Sequence, residues 1–404
     1  MAIQTYVPAS SSDASQSTRH LTLTHSLPLP RIRISARATL VVLLWLNIAT
    51  SMVWALDRQS DLQDLGSFLH SGASYKEALN PYEYHFWIHP APIGTDALNL
   101  NPPVSVYLFA SLTSLPPQLT AFGFLAGTIA LFGLTLMLLL RWFPDKRNTL
   151  AVLAVCSLAG VWHTLGYHQI YAPLILAVAA SWQLMRRGDL LLAGIAIGMV
   201  VAVKPNFVLW PLFLLAAGHP RVAISALATA ACISAVPLLL DGPGIYREWL
   251  DVTRSFGGLQ WTSNASLVSI GARFGLATPT VVIGLAGMAA LLVWMRKSRP
   301  PVLETSALSV LAVILAGPVS WAGYTLFLLP YLFSRPWNPR IWLVLLMLAT
   351  PFWMVRDATL LGAISSATLG AVYGWAVLLL FGLVVWDHVC EGRQDREGVR
   401  EPAA

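Results

Sequence analysis

Residues 38–56 read ATLVVLLWLNIATSMVWAL, an apolar run without a charged side chain. About 20 such residues in a helix cross a hydrocarbon layer about 30 Å thick. The run follows Arg31, Arg33 and Arg37, but it is long, begins late in the chain and ends in a weak cleavage context. It therefore predicts an uncleaved first membrane span rather than a secretory signal peptide.

Further apolar segments follow this one and bring the total to about twelve candidate spans. Of all residues 56% are hydrophobic and only 11% are charged, against roughly 25% charged in an average soluble domain, which excludes an ordinary water-soluble enzyme. The pattern predicts an all-α, polytopic integral membrane protein. The short segments 190–203 and 207–217 could also form a re-entrant hairpin or two tilted half-helices. The other candidate spans are 119–140, 149–165, 170–185, 222–240, 279–295, 302–316, 324–333, 341–355 and 360–386.

The positions of the basic residues predict the orientation in the membrane. With the N-terminus in the cytoplasm, about 18 of the 25 Lys and Arg residues lie on the cytoplasmic side, as the positive-inside rule expects. The formal net charge of +6 is thus a topology signal, and no nucleic acid partner is expected. The predicted organisation is a disordered cytoplasmic tail at 1–37, a membrane domain at 38–386 with long extracytoplasmic loops at 57–118 and 241–278, and a cytoplasmic tail at 387–404.

The first long loop holds the main candidate for chemistry. Ser60-Asp61-Leu62-Gln63 matches a helix-capping box, and apolar residues at helical spacing follow up to about Leu79. We expect a helix lying on the outer membrane surface, with Asp61 and Asp64 in its first turn. These acids could simply complement the positive end of the helix dipole. Alternatively, Asp64 faces a cavity at the membrane boundary and takes a proton from an incoming hydroxyl group.

Several cations break the positive-inside trend and are predicted on the outer side. Lys204 interrupts apolar sequence just before Pro205, where an ammonium group needs either a route to water or an anionic partner. Such cations around one cavity would suit a phosphate-bearing lipid, whereas each of them alone is also explained by snorkelling. The others in this group are Arg247, Arg254, Arg273 and Arg356.

No metal or organic cofactor is predicted, and the need for a divalent ion is left open. His85 and His89 have helical ligand spacing, but prolines crowd them and no third ligand is evident. The spacing of Cys156, Cys232 and Cys390 fits neither a disulfide framework nor a thiolate site. The sequence also has no phosphate-binding loop for ATP, no zinc-protease motif, no nucleophile elbow and no dinucleotide fingerprint in a credible context.

A series of short motifs runs along the predicted outer side. They are Asp64-Leu-Gly-Ser-Phe68 with Ser71-Gly72, Asn80-Pro81-Tyr82, Asn101-Pro102-Pro103, Gln169, Lys204-Pro205, Asn264-Ala-Ser-Leu267 with Arg273, and Pro318-Val-Ser-Trp321. In this order they resemble glycosyltransferase family 87, which is related to polyprenol-phosphate-mannose-dependent α-1,2-mannosyltransferases. The resemblance covers roughly residues 39–333, and the order and common sidedness of the motifs make it more specific than any one of them.

The resemblance implies a GT-C fold of about twelve membrane helices, with interfacial helices in the first long loop and a lateral, lipid-accessible cavity. It implies transfer of a hexose, mannose in the family, from a polyprenyl-phosphate sugar to a glycolipid or glycan on the extracytoplasmic side of the plasma membrane. Asp64 would be the general base of an inverting reaction, and Lys204 and Arg273 would neutralise the leaving phosphate. The other substrate-binding positions that it implies are Tyr82, Asn101, Gln169, Asn264 and Trp321.

Two positions depart from the family pattern, and two other functions stay open. Gly323 stands where a His often follows Trp321 by two residues, and His168 stands where a Gly usually precedes Gln169. Both changes fall where substrate contacts are expected, so the identity of the sugar and of the acceptor does not carry over.

The alternatives to a transferase are a transporter or flippase of a lipid-linked sugar, suggested by the interrupted helices around Lys204, and a scaffold whose outer loops bind a partner. Polar residues at the outer boundary and the lack of a visible inverted repeat favour the transferase.

Overall fold

The computed structural model describes residues 35–58, 63–88 and 98–398, with side chains up to residue 388. Residues 1–34 of the predicted tail at 1–37, residues 60–62 of the capping box with Asp61, and His89 lie outside the described residues, whereas a helix begins inside the predicted tail at Ala36. Within them the chain forms helices and turns, and its one strand-like feature is an isolated bridge between Asn264 and Trp321. The prediction of an all-α protein is confirmed.

The α-helices of the described ranges, in chain order, are α1 (Ala36–Asp57), α2 (Gln63–Lys76), α3 (Val104–Leu112), α4 (Pro117–Trp142), α5 (Thr149–Cys156), α6 (Ala159–Gly166), α7 (Tyr171–Arg187), α8 (Leu190–Val203), α9 (Leu209–Ala216), α10 (Pro220–Asp241), α11 (Gly244–Ser255), α12 (Leu267–Arg273), α13 (Ala277–Ser298), α14 (Val302–Ala316), α15 (Leu329–Ser334), α16 (Pro339–Leu348), α17 (Phe352–Leu360), α18 (Ala363–Ala367) and α19 (Val372–Gly398). The last helix continues through residues 387–398, within the segment predicted as a cytoplasmic tail.

Five helical stretches of the described residues are long and apolar enough to cross a membrane: Ala36–Asp57, Pro117–Trp142, Pro220–Asp241, Ala277–Ser298 and Ala363–His388. The number rises to seven if two bent pairs each count as one span, namely α5 with α6, bent by 50°, and α16 with α17, bent by 72°. These helices make the protein an integral membrane protein. The predicted count of about twelve is not confirmed.

The difference in count comes from short helices that share the apolar composition of a span but lack its length. At a rise of 1.5 Å per residue, the 14 residues of α8 reach about 21 Å, less than the hydrocarbon thickness. Lys204 and Pro205 end α8, and a short 3-10 turn leads into α9. By contrast, α14 is apolar because protein surrounds it, since its residues from Thr305 to Leu315 are all buried.

The two long loops fold into helices that cover one end of the bundle. As predicted, α2 and α3 follow the first span, and Gly72 lets them touch, because a Cβ there would lie 2.5 Å from the backbone nitrogen of Ala110. In the second loop α11 buries Ile245 and Val252 against Tyr82, which joins the two loops in one apolar cluster. This layer holds the candidate site.

Candidate active site

The two long loops and the helix ends beneath them surround a cavity of about 400 Å³. That volume falls within the range of small-molecule binding sites. Five of the eight sequence-predicted site residues line it: Asp64, Asn101, Gln169, Lys204 and Trp321. The other lining residues are Gln63, Phe68, Leu98, Leu100, His163, Tyr167, Gln260, Trp261, Thr262, Ser263, Phe352 and Arg356.

Among the described residues of the cavity wall, Asp64 is the only one that carries a carboxylate. It stands in the first turn of α2, where the helix dipole favours a negative charge. The neighbouring Leu65, Phe68 and Leu69 are buried and fix the helix, while the Asp64 side chain borders the cavity. Burial raises the pKa of Asp64 from its ordinary 3.8 to about 6, against the opposing effects of a hydrogen bond from Gln169 and the positive charge of Lys204. A carboxyl group with this pKa can exchange a proton near neutral pH.

Lys204 reaches the cavity from the break between α8 and α9. The residue is 8% exposed, and its Nζ donates to Asn101 Oδ1 at 2.6 Å. The ammonium group also lies 5.1 Å from the ring centre of Tyr171 and 5.7 Å from that of Tyr324, within cation–π range. Burial lowers the pKa of Lys204 from 10.5 to about 8, partly countered by the charge of Asp64. The opposite charges of Asp64 and Lys204 therefore stabilise each other in one site.

A buried network fixes Asn101 and, through it, Lys204. Asn101 Nδ2 donates to Asn99 Oδ1 at 3.1 Å, and Asn99 Nδ2 donates to Ser71 Oγ at 3.1 Å and Ser105 Oγ at 3.2 Å. These donors and acceptors come from α2, α3 and the segment that leads into α3. Because a fully bonded polar network is rigid, it holds the Lys204 ammonium group in place.

Gln169 joins the cavity from the turn between α6 and α7. Its Nε2 donates to Asp64 Oδ2, and its Oε1 has no hydrogen-bond partner in the described structure. The preceding residue, His168, adopts a φ of 54°, in the left-handed region that glycine occupies most easily. This φ gives a physical reason for the glycine that the family usually has at this position. His168 adopts the same φ with a strained backbone.

Aromatic rings form another part of the cavity wall. The ring centres of Trp261 and Trp321 are 5.6 Å apart, and His163 stacks on Trp321 at 6.4 Å with an interplanar angle of 22°. Beside this wall, Gly323 makes room for Tyr171, because a Cβ at position 323 would overlap the Tyr171 ring. Gly323, one of the two departures from the family pattern, therefore allows Tyr171 to lie against Lys204.

Three predicted site residues are not among the residues that line the cavity. Tyr82 donates from its hydroxyl group to the Asn101 carbonyl oxygen at 3.1 Å and so supports the loop. Asn264 Nδ2 donates to the Pro318 carbonyl oxygen at 2.9 Å, and its Oδ1 accepts from the backbone N–H of Ser320 at 2.9 Å. It thereby ties the second loop to the turn that carries Trp321.

Arg273 is also outside the cavity wall. Its guanidinium group donates to Ser366 Oγ at 3.0 Å and to the Trp261 carbonyl oxygen at 3.2 Å. It thus holds the backbone of Trp261, whose ring forms part of the cavity wall. Its predicted role in neutralising a phosphate stays a prediction.

Sequence reasoning did not assign His163, Tyr167 or Arg356 to the site. Arg356 had a signal, since it was one of the cations predicted on the outer side, and the 72° bend between α16 and α17 places it in the cavity wall. Its Nη2 lies 3.0 Å from the exposed carboxylate of Asp357. His163 lies in the predicted span 149–165 and Tyr167 follows it by two residues, and neither had a signal in the sequence. Among the described residues, no group of three or more His, Cys, Asp or Glu side chains could hold a metal ion.

The fold and the cavity define a polytopic membrane protein with a polar, charged site at one end of its helices. The sequence model of glycosyltransferase family 87 matches residues 99–318, more than half of the chain. The chain therefore belongs to glycosyltransferase family 87, and it is a membrane glycosyltransferase with a sugar donor and an acceptor. The matched range includes Asn101, Gln169 and Lys204, whereas Asp64 precedes it and joins them only in three dimensions. No curated protein and no solved structure matches the chain.

Proposed function

We propose that this glycosyltransferase transfers a hexose, mannose in keeping with its family, from a polyprenyl-phosphate sugar to an extracytoplasmic glycolipid or glycan. The observation that supports this proposal is the meeting of one half-buried carboxylate, Asp64, with Lys204 and Arg356 in one cavity. We further propose that the fold is of the GT-C type and that the cavity opens to the outer side of the plasma membrane.

The proposed reaction needs a base and a leaving group that can accept an electron pair. The acceptor hydroxyl oxygen attacks the anomeric carbon of the donor sugar, and the bond from that carbon to the phosphate oxygen breaks. The hydroxyl proton passes to Asp64, and the electron pair of the broken bond leaves with polyprenyl phosphate. Attack from the face opposite the phosphate inverts the anomeric carbon. Asp64 suits the role of base because its raised pKa keeps it both ionised and basic near pH 7.

Fixed cations stabilise the charge that develops on the leaving phosphate. Lys204 meets this need because its Nζ is held by Asn101 and stands close enough to Asp64 for their charges to interact. Arg356 is the second cation of the cavity wall, and its planar guanidinium group can bind two phosphate oxygens at once. We assign both to the phosphate and the rings of Trp261 and Trp321 to the sugar.

The proposal is tested with Asp64→Asn in the full-length protein, purified and reconstituted in lipid. Labelled polyprenyl-phosphate hexoses serve as donors and envelope glycolipids as acceptors. The glycosylated product is distinguished from the acceptor by its mass. Because Asn cannot accept the proton, we expect transfer to fall by about 100-fold or more. Asp189→Asn makes the same chemical change at an exposed position beyond the far end of α7 and should leave the rate unchanged.

Three outcomes would contradict the proposal. A loss well below 100-fold would remove Asp64 from the role of base. Equal losses in the Asp64→Asn and Asp189→Asn proteins would point to folding rather than chemistry. Movement of labelled donor between leaflets without product would favour the flippase alternative.

A further inference from the structure

A second cavity, of about 380 Å³, lies at the other end of the bundle. The helix α7 connects the two sites, since it begins beside Gln169 and ends at Arg187, about 25 Å away for 17 residues. The second cavity is lined by the last turn of α7 and the first turn of α14, together with residues of α15 and α19. The positive-inside pattern assigns this end to the cytoplasm.

The wall of this cavity combines cations with apolar and aromatic surface. Arg186 and Arg335 supply guanidinium groups, and Ser334 and Tyr331 supply hydroxyl groups. The apolar part of the wall consists of Phe143, Trp182, Pro301 and Leu303. The indole N–H of Trp182 has no acceptor in the described structure. A polar headgroup with an attached apolar chain would match both kinds of surface.

Three of the four Arg, Glu and His side chains at the cavity already have partners within the protein. Arg335 Nη2 lies 3.1 Å from Asp387 Oδ2, and Glu304 Oε1 lies 2.6 Å from His388 Nδ1. Arg186, in contrast, makes no ion pair among the described residues. Its Nη1 donates to Gln183 Oε1 at 3.2 Å, and its guanidinium carbon lies 4.7 Å from the ring centre of Phe143. The cavity therefore offers one cation whose charge is not neutralised by a carboxylate.

We propose that this cavity binds the phosphodiester headgroup of an acidic phospholipid from the cytoplasmic leaflet, with Arg186 as its main phosphate ligand. A phosphodiester carries one negative charge, which matches the single unneutralised cation. Arginine presents planar paired donors to phosphate oxygens, and basic pockets between membrane helices on the cytoplasmic side are suited to acidic lipid headgroups. The site is separate from the sugar-transfer cavity and does not depend on the reaction proposed for it.

The experiment measures lipid binding to the delipidated full-length protein in neutral detergent by native mass spectrometry. Phosphatidylglycerol, phosphatidylcholine with the same acyl chains, and inorganic phosphate are titrated separately. We expect one phosphatidylglycerol to bind in preference to phosphatidylcholine. Arg186→Ala should weaken its binding by about fivefold or more, the effect of one cation near an anionic lipid surface. Arg186→Lys, which keeps the charge but loses the paired donors, should have an intermediate effect.

Arg187→Ala is the matched control, because Arg187 is the next residue of the same helix end but does not line the cavity. It should change phosphatidylglycerol binding by less than twofold. Equal weakening by Arg186→Ala and Arg187→Ala would overturn the proposal in favour of general surface charge. Equal binding of the two phospholipids would also overturn it, and so would displacement of phosphatidylglycerol by inorganic phosphate at the same concentration.

Discussion

At the scale of single residues, Asp64 and Lys204 set the expected pH dependence of transfer. The base must be deprotonated, and burial raises the pKa of Asp64 to about 6, so kcat/KM should rise as the pH increases through about 6. The cation must be protonated, and burial lowers the pKa of Lys204 to about 8, so kcat/KM should fall as the pH increases through about 8. A bell-shaped profile of kcat/KM, measured on the reconstituted protein, checks this prediction.

Lys204→Arg separates the two limbs of that profile. Arginine stays charged throughout the range, so the variant should lose the decline above about pH 8 and keep the rise near pH 6. If the decline persists in the arginine variant, another group causes it. If the rise near pH 6 is missing from the parent profile, Asp64 does not act with the pKa that its surroundings give it.

Gln169 is expected to position Asp64 and tune its pKa. Its amide donates to the carboxylate and so favours the ionised form. Gln169→Leu removes this donor, the pKa of Asp64 should rise further, and the acid limb should move to higher pH while Asp64 still serves as the base. Gln118→Leu, at an exposed position near the start of α4, is the control and should leave the limb in place. An unchanged acid limb in Gln169→Leu would show that the hydrogen bond does not influence the base.

Residue patterns could predict candidate site residues. They could not predict which of these side chains come together in the cavity. The order of weak motifs led to Asp64, Asn101, Gln169, Lys204 and Trp321 as candidates, and all five line the cavity. The same motifs include Asn264, whose four hydrogen bonds instead hold the loop that carries the aromatic wall. A sequence motif does not distinguish a residue that binds a ligand from one that supports the binding loop.

At the scale of helices, close packing between α8 and α10 depends on two glycines one turn apart. A Cβ at Gly198 would lie 2.5 Å from the Ala226 carbonyl oxygen and 2.5 Å from Thr229 Cβ, and Gly194 meets α10 in the same way. Small residues at this spacing let two membrane helices approach each other. This contact supports the segment that ends at Lys204, so it links packing to the site.

Gly198→Leu should therefore destabilise the protein. Forcing a large side chain into a closely packed contact costs about 1–3 kcal/mol, and we expect a lower melting temperature together with weaker transfer. Gly127→Leu in α4 is the matched control, because a Cβ there meets nothing within 4 Å. Thermal unfolding followed in detergent measures both variants. Equal melting temperatures for the two would mean that α8 and α10 do not need this contact.

Helix ends were predictable where a span is long and straight, and less so where it bends. The segment 341–355 reads as one apolar run, but Pro351 disfavours helical backbone at Thr350, and the chain turns by 72° between α16 and α17. That bend brings Arg356 into the cavity wall. Hydropathy does not predict the bend. This explains why Arg356 was predicted on the outer side but not in the site.

At the scale of the whole molecule, apolar composition has two causes that the sequence does not separate. A helix can be apolar because its side chains are left open to lipid, as in Ala277–Ser298, where protein buries only a few of them, or because it is enclosed by protein, as α14 is. Counting apolar segments therefore gives an upper limit on the number of spans. The predicted orientation rests on where the basic residues lie along the twelve-segment pattern.

That orientation makes a prediction about the two ends of the bundle. In a background with Cys156, Cys232 and Cys390 replaced by Ala, Arg254→Cys should react with a membrane-impermeant maleimide in intact cells, because α11 is predicted on the outer side. Lys297→Cys, near the end of α13, should react only after the membrane is opened. Both side chains are exposed, so accessibility within the fold does not decide the result. The reverse pattern would place Asp64 and Lys204 on the cytoplasmic side and contradict an extracytoplasmic acceptor, whereas labelling of both in intact cells would show that the cells are leaky.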